Sequence, residues 1–434
     1  MHDLLYASRE EIEAARARCF TEMMDLAAAR HPRTRASLAE NKLARGDFAS
    51  LADLPKLPVI LKQSYMADPD AFRLDAAGLP AEMATVWDVM YTTGTSAGRP
   101  TPFVSTSFDF FRILEANRNM LRLRGARPDD LIANLFPLTA VPHGAFIRAM
   151  HAAASMNLPV VAALPGNPSP HFTLGNDLDR VVDIVARARA TMLWGVPSYL
   201  RRVVARAEEK GADFSAVRLA FVTGEGFPEA ARADLTAALR RIGRPDAWVS
   251  ISYGATEMQG GMVECATGAG YHNPAPDQFY FEVVHPQSYQ AVPDGEAGLL
   301  LLTHLRRRGT VLLRYALGDI SVLSRAQCPH CGSWTDRLTA MPRRADALLK
   351  IKGTLVNPDV LVQAAEATVG GREFQFTVTE DRFTLKLAQG APIQGVEEAV
   401  KRACGVTPVV EYVAPEALAG TSWKLKRVVD LRKG

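Results

Sequence analysis

The residues best suited to chemistry lie in a loop between Tyr91 and Pro102, with the sequence YTTGTSAGRPTP. Short apolar strands are predicted on either side of it, at 86–90 and 103–105. Glycines let the backbone approach a ligand closely, hydroxyl and N–H groups donate hydrogen bonds, and Arg99 adds a fixed positive charge. This set suits the oxygens of a polyphosphate. The loop lacks the G-x-x-x-x-G-K-[ST] pattern of a Walker loop, and taken alone it also fits a surface hairpin turn.

A second group of residues is suited to binding a metal ion. Two cysteines form a C-x-x-C turn, and a cysteine and a histidine lie seven residues apart upstream of it. The four residues are Cys265, His272, Cys328 and Cys331. Three thiolates and one imidazole form a tetrahedral zinc site that leaves no position for water, so a structural ion is expected. His330, inside the turn, is the alternative fourth ligand, and four reduced residues in loops are the alternative to any metal.

The size and composition of the chain limit the classes of protein to be considered. A length of 434 residues favours two or more domains, and a net charge of +3 without a basic block argues against nucleic-acid or membrane-surface binding. No apolar run is long enough to span a bilayer, and no signal peptide is evident. The odd count of five cysteines argues against a secreted disulfide framework, so a cytoplasmic protein is expected. The sequence leaves the oligomeric state open, and a homodimer is one option.

The elements that must position these residues alternate regularly over the middle of the chain. Helices are predicted at 177–190, 198–210 and 228–242, and strands at 191–196, 219–222 and 248–253. This alternation predicts a doubly wound parallel sheet. The strands end in three glycine-containing turns, which lie at 195–197, 223–226 and 253–257. Because ligands bind outside the carboxyl ends of such strands, these turns and the loop at 91–102 are expected to share one site.

The last third of the chain has a different pattern. Short strands predicted at 279–284, 298–303 and 310–314 indicate a β-rich subdomain that closes the large domain. Beyond about Arg344, apolar residues alternate at 374–378 and 383–387, and a helix and a strand follow. The prediction is therefore an α/β protein with a large N-terminal domain at 1–343 and a small α+β lid domain at 344–434.

Six segments, taken in order, resemble motifs of the adenylate-forming superfamily, and most closely those of its phenylacetate–CoA ligase family. They are Thr92–Pro100, Gly224–Pro228, Tyr253–Glu257, Arg314–Asp319, Arg343–Asp346 and Ser422–Val428. The resemblance covers nearly the whole chain and rests on the order and spacing of the matches, since each alone is weak. Three positions depart from the family pattern: Arg99 replaces a lysine, Trp423 a glycine and Ala316 an arginine.

The resemblance implies a role for each segment. The residues that would hold the β- and γ-phosphates of ATP are Thr93, Gly94, Thr95, Ser96, Gly98 and Arg99. Those that would contact the adenine are Gly224, Glu225, Gly226 and Tyr253, and Gly254 is a further cofactor-binding residue. Glu257 would bind Mg²⁺, Thr256 would donate to the α-phosphate, and Asp319 would accept from the ribose hydroxyls, with Arg344 nearby.

The same resemblance makes the small domain a mobile lid. It would swing about Asp346 between two half-reactions and bring Lys424 to the developing charge. Lys426 is the alternative to Lys424. The acyl pocket is expected near Phe136, His143 and Ile251, although buried core is the commoner fate of such apolar residues and His143 also fits a helix cap.

The implied activity is ATP-dependent ligation of an aryl or arylacetic acid to coenzyme A, through an acyl-adenylate and with Mg²⁺ bound. Two alternatives remain open at this point. In the first, an adenylating enzyme passes the acyl group to a carrier-protein thiol or to an amine. In the second, a zinc-stapled protein binds nucleotide without catalysis.

Overall fold

The polypeptide passes more than once between two units. The computed structural model describes residues 3–91, 101–138, 144–166, 175–345, 349–351, 354–414, 417–418 and 427–432, with the backbone only at 350, 355 and 359. The first unit comprises Met1–Asp129, Thr139–Pro159 and Ser252–Ala345, and the second comprises Asp130–Leu138, Val160–Ile251 and Asp346–Gly434. The predicted domain boundary at 343/344 stays a prediction; the chain returns to the second unit at Asp346.

Eleven α-helices are described, and three of them lie within two residues of the bounds predicted at 177–190, 198–210 and 228–242. They are α1 (Arg9–Arg30), α2 (Pro32–Glu40), α3 (Lys62–Ala67), α4 (Ala81–Ala84), α5 (Ser107–Leu123), α6 (Gly144–Ser155), α7 (Leu178–Ala188), α8 (Pro197–Lys210), α9 (Glu229–Ile242), α10 (Pro358–Val369) and α11 (Val396–Cys404). Capping residues set several of their ends. Asp177 accepts from the Arg180 N–H to start α7, and Gly211 ends α8 with a φ of 61°.

The described strands are mostly short, and three of them have eight to ten residues. They are β1 (Val86–Tyr91), β2 (Pro102–Thr106), β3 (Ile132–Asn134), β4 (Val160–Ala162), β5 (Met192–Gly195), β6 (Leu219–Val222), β7 (Trp248–Ala255), β8 (Gly260–Val263), β9 (Tyr271–His272), β10 (Phe279–Val284), β11 (Ala297–His304), β12 (Tyr315–Ser324), β13 (Arg337–Leu338), β14 (Arg343–Arg344), β15 (Leu349–Ile351), β16 (Thr354–Val356), β17 (Phe374–Val378), β18 (Phe383–Ala388), β19 (Val409–Val413) and β20 (Val428–Asp430).

The second unit contains the predicted parallel sheet, in the order β4-β3-β5-β6-β7. Helices α7, α8 and α9 connect its successive strands. Every residue of β5 and β6 is buried, as expected for strands covered on both faces. Parallel pairing places the carboxyl ends of β5 and β6 at one edge, so the turns that follow these two strands are neighbours.

The first unit contains an antiparallel sheet and a separate hairpin. The end of β7 pairs with β8, and the order continues through β9, β13, β12 and β11 to β10. Strands β1 and β2 pair antiparallel, with Tyr91 opposite Pro102 at the tip. The predicted loop at 91–102 is therefore closed by a hairpin, and the predicted β-rich subdomain is confirmed.

One predicted strand, at 310–314, is absent from the described structure. Its backbone groups pair with distant segments instead: Thr310 N–H donates to Val104 O at 2.9 Å, and Val311 N–H donates to Phe72 O at 2.8 Å. Arg314 has a φ of 50°, which ends any extended run there. The prediction was wrong because an apolar alternation does not reveal which partner the backbone will find.

The C-terminal part of the second unit has its own sheet and core. Strands β19, β18, β17 and β20 lie side by side, and α10 and α11 pack together next to them. The alternating aromatics meet as predicted from their period of two, with the Phe376 and Phe383 rings stacked at 5.5 Å between centroids. This segment also touches α9. Its role as a mobile lid stays a prediction.

The described helices include none that is long and apolar enough to cross a bilayer.

A buried histidine in the first unit predicts how stability depends on pH. His31 caps α2, and its Nδ1 accepts from the Thr34 N–H at 3.3 Å, which requires an unprotonated nitrogen. Burial lowers the pKa of His31 to about 4. The unfolded chain binds a proton near pH 6.5 and the folded chain does not, so stability falls as pH decreases from about 6.5 to about 4.

We expect the variant His31→Asn, which keeps a capping side chain, to flatten this dependence by about 1–3 kcal/mol. Urea unfolding of both proteins at pH 7 and pH 5 measures the difference. An equal loss of stability in both proteins over this interval would contradict the assignment.

Candidate functional site

Three of the predicted nucleotide-binding residues lie together in the first unit. The Tyr253 hydroxyl donates to Asp319 Oδ2 at 2.7 Å, and Arg344 Nε lies 3.4 Å from Asp319 Oδ1. The positions of Asp319 and Arg344 are fixed by backbone pairing of β12 with β14. Gly318 has a φ of 80°, which favours glycine, and it lies inside β12 rather than in a free turn. The cluster offers a carboxylate between a phenol and a guanidinium.

Glu257 lies next to this cluster. Its Oε1 accepts from the Tyr315 hydroxyl at 3.1 Å, and its backbone carbonyl accepts from His304 Nε2 at 3.0 Å. Burial lowers the pKa of His304, so this ring is a neutral donor. Burial raises the pKa of Tyr253, and the charges of Asp319 and Glu257 raise it further. The two predicted carboxylates, Asp319 and Glu257, therefore both raise the pKa of the Tyr253 phenol.

A short turn, Thr256–Met258, presents Thr256 and Glu257. It ends at Gln259, which has a φ of 53° and whose side-chain amide donates to Thr256 O at 2.6 Å. Gln259 Oε1 accepts from Arg148 Nη2 at 2.5 Å, and the same guanidinium donates to Asp88 Oδ2 at 2.8 Å. Arg148 therefore connects strand β1, which leads into the predicted phosphate loop, with the turn that carries Glu257.

Sequence analysis missed Arg148, Gln259, Tyr315 and His304. The one available signal for Arg148 is a cation inside the apolar helix GAFIRAMHAAAS. Buried cations are rare unless they are paired, so such a residue is a candidate for an internal ion pair. Tyr315 lies within a recognised motif, but nothing in the sequence indicates that its hydroxyl reaches Glu257.

The turns that follow β5 and β6 lie in the second unit. Gly224 has a φ of 87°, and Gly224 and Gly226 are exposed. Both oxygens of Glu225 accept from Ser198, at 3.1 Å from its N–H and 2.9 Å from its hydroxyl. Of the predicted acyl-pocket residues, Phe136 and Ile251 are each 1% exposed and belong to the core of this unit.

Several predicted site residues lie outside the described part of the chain. They are Thr93, Gly94, Thr95, Ser96, Gly98, Arg99, His143, Asp346, Lys424 and Lys426. Gly254, which follows Tyr253, is described and exposed. The assigned roles of all these residues stay predictions.

The four predicted metal ligands converge in the first unit. One ligand atom from each of Cys265, His272, Cys328 and Cys331 lies within 4.8 Å of the others. The sulfurs of Cys265 and Cys328 are 3.8 Å apart, and the Cys331 sulfur is 3.7 Å from His272 Nε2. Tetrahedral zinc requires about 3.8 Å between two sulfurs and about 3.6 Å between sulfur and nitrogen. The donor set and its spacing therefore fit zinc.

The surroundings of the cluster favour the ionised form of one thiol and orient the imidazole. A hydrogen bond from Cys265 and the neighbouring His272 lower the pKa of Cys331. His272 is fully buried, and its Nδ1 lies 3.2 Å from Thr335 Oγ1, a contact that leaves Nε2 for the cluster. His330, the alternative ligand, is exposed and lies outside the cluster.

Comparison with known proteins gives consistent matches. Residues 150–305 match the family model described as AMP-binding enzyme. The chain is 26% identical over 460 residues to phenylacetate–coenzyme A ligase of Thermus thermophilus, with 98% of each covered. It is 26% identical over 320 residues to the enzyme of the same name from Escherichia coli, with 73% of this chain and 67% of that protein covered.

A solved structure with the same fold is 2-hydroxyisobutyryl-CoA ligase in the postadenylation state, in complex with R3-HIB-AMP. The TM-score is 0.78 at 22% identity, with 99% of this chain and 91% of that chain covered. The same enzyme in its thioesterification state, with 2-HIB-AMP and CoA, gives 0.67. The fold class predicted from the sequence is confirmed, and so is the resemblance to adenylate-forming enzymes.

Proposed function

We propose, from the kinship of this chain with the phenylacetate–coenzyme A ligases among the adenylate-forming enzymes, that it is an AMP-forming acid–coenzyme A ligase. The observation that carries the proposal is the convergence of Tyr253, Glu257, Asp319 and Arg344, which come from different strands and turns of one unit. If Asp319 served only to form a turn, it would not need a phenol and a guanidinium beside its carboxylate. We further propose an aryl or arylacetic acid as the substrate, in line with the names of the curated relatives.

The proposed reaction has two steps. The substrate carboxylate attacks the α-phosphorus of ATP, the bond to the β-phosphate oxygen breaks, and pyrophosphate leaves with its electron pair. The thiol of coenzyme A then attacks the acyl carbon, AMP leaves, and the thiol proton goes to solvent or to a base. Since the attacking group and the phosphate are both anionic, the protein contributes mainly by positioning and by neutralising charge.

The described residues suit these tasks. Asp319, held by Tyr253 and Arg344, has the acceptor oxygens that ribose hydroxyls need. Glu257 offers a carboxylate oriented by Tyr315, which is the kind of ligand that Mg²⁺ binds. Bound Mg²⁺ supplies charge neutralisation at phosphate oxygens. Thr256 would donate to the α-phosphate, and Lys424 would approach from the C-terminal segment.

We also propose that the cysteine–histidine cluster binds structural zinc, because its four ligand atoms match a closed tetrahedral site. The five cysteines form no disulfide among the described residues, which suits the cytoplasm. We propose coenzyme A, rather than a carrier protein or an amine, as the acceptor of the acyl group. The two curated relatives of this chain described above are both named as coenzyme A ligases.

The test is a screen of aromatic acids for acid-dependent pyrophosphate release with ATP and Mg²⁺. We expect pyrophosphate with the acid alone, and AMP release with thioester formation only after coenzyme A is added. Lys424→Ala should lower pyrophosphate release by on the order of 10²–10³, and Lys426→Ala should serve as its matched control.

Three results would revise the proposal. AMP release driven by an amine or a carrier protein, but not by coenzyme A, would favour the other acceptors. Unchanged pyrophosphate release in Lys424→Ala together with a large loss in Lys426→Ala would exchange the two lysines. ATP binding without acid-dependent pyrophosphate release, in every acid tested, would indicate a non-catalytic nucleotide-binding protein.

A further inference from the structure

The side chain of Glu225 joins two neighbouring turns of the parallel sheet. Glu225 lies in the turn after β6, and Ser198 lies in the first turn of α8, which follows β5. Glu225 Oε2 accepts from the Ser198 N–H at 3.1 Å, and Oε1 accepts from the Ser198 hydroxyl at 2.9 Å. The two turns are thus held together by a bidentate, charge-assisted pair of hydrogen bonds.

The position of the carboxylate suits this clamp. Helix α8 has no side-chain cap at Val196, so the N–H groups of its first turn need another acceptor. A negative charge at a helix N-terminus is also favoured by the helix dipole. The turn itself needs a restraint, because Gly224 has a φ of 87° and both Gly224 and Gly226 are exposed.

We propose that Glu225 is a positioning residue, which fixes the turn at 223–228 through its two hydrogen bonds with Ser198. This inference rests on the proposed function, and it deepens it by assigning Glu225 to the organisation of the site rather than to direct contact with adenine. Loss of this pair of hydrogen bonds is expected to weaken nucleotide binding.

The experiment compares Ser198→Ala, which removes one bond of the clamp and keeps the Glu225 charge, with Glu225→Gln, which removes the charge. We expect Ser198→Ala to raise KM for ATP about tenfold with kcat within about twofold. Glu225→Gln, which weakens both hydrogen bonds, should raise KM by at least as much, with kcat again within about twofold. Because both act through one contact, the double variant should have the KM of Glu225→Gln alone.

The controls separate positioning from a general loss of structure. Ser198→Thr keeps the hydroxyl and should restore a near-normal KM. Glu229→Gln changes an exposed carboxylate at the start of the neighbouring helix α9 and should leave both constants unchanged. ATP binding to the wild-type chain is measured in parallel by calorimetry.

Each outcome decides the inference. An unchanged KM in Ser198→Ala, with a wild-type chain that binds ATP and releases pyrophosphate, overturns the clamp and leaves the proposed function standing. If Ser198→Ala and Ser198→Thr change KM and kcat to the same extent, the inference is also overturned. A wild-type chain that neither binds ATP nor releases pyrophosphate overturns both proposals.

Discussion

Replacing Glu257 with glutamine is expected to lower kcat for acid-dependent pyrophosphate release by on the order of 10²–10³. Glutamine has nearly the same shape and still accepts from Tyr315, whose hydroxyl lies 3.1 Å from Glu257 Oε1. The variant loses the negative charge that a bound Mg²⁺ requires. Initial rates measured over a range of Mg²⁺ concentrations provide the test, and the concentration needed for half-maximal rate should increase.

Glu208→Gln is the matched control for this variant. Glu208 pairs with Arg241 at 2.7 Å on the exposed surface of α8, where an ion pair contributes little to stability. Its rate should equal that of the wild type. A Glu257→Gln rate within about threefold of the wild type, with an unchanged Mg²⁺ dependence, would remove Glu257 from the proposed metal site.

Local patterns were sufficient to predict part of the fold, although they did not predict strand β12, which carries Tyr315 and Asp319. The capping box of Ser8 and Glu11 predicts the start of α1, and the structure has both of its hydrogen bonds. The alternation of strands and helices predicts the parallel sheet, since each element there is set by its own periodicity. The C-x-x-C turn with Cys265 and His272 predicts a cluster that the structure brings together.

Contacts between distant residues could not be predicted in this way. Arg148 reaches Asp88 across 60 residues, and Glu225 reaches Ser198 across 27, so no local pattern contains either pair. The ion pair between Arg16 and Asp336, at 2.6 Å and 1% exposed on both sides, spans 320 residues. Such pairs depend on which charges the fold buries together, and burial is a property of the tertiary structure.

Removal of the proposed zinc ion is expected to destabilise the part of the first unit that carries Tyr253. Strand β9 pairs with β8 through one residue pair, Val263 with His272, and with β13 through two. Ladders of one or two residue pairs contribute little to stability by themselves, so the zinc ion would provide the main link between β8, β9 and β13. Through β8 this link reaches β7, where Tyr253 lies opposite Met262.

We expect one zinc ion per purified chain, and we expect Cys328→Ser to lose it and to lower Tm by about 10 °C or more. Structural zinc contributes about 10–16 kcal/mol of apparent binding energy in small domains, and a loss of only a few kcal/mol lowers the Tm of a unit of this size by that much. His330→Ala is the control, because His330 is exposed in the same turn and lies outside the cluster. Elemental analysis and thermal unfolding measure both variants. Full zinc content in Cys328→Ser, or loss of zinc in His330→Ala, would show that the four ligands are wrongly assigned.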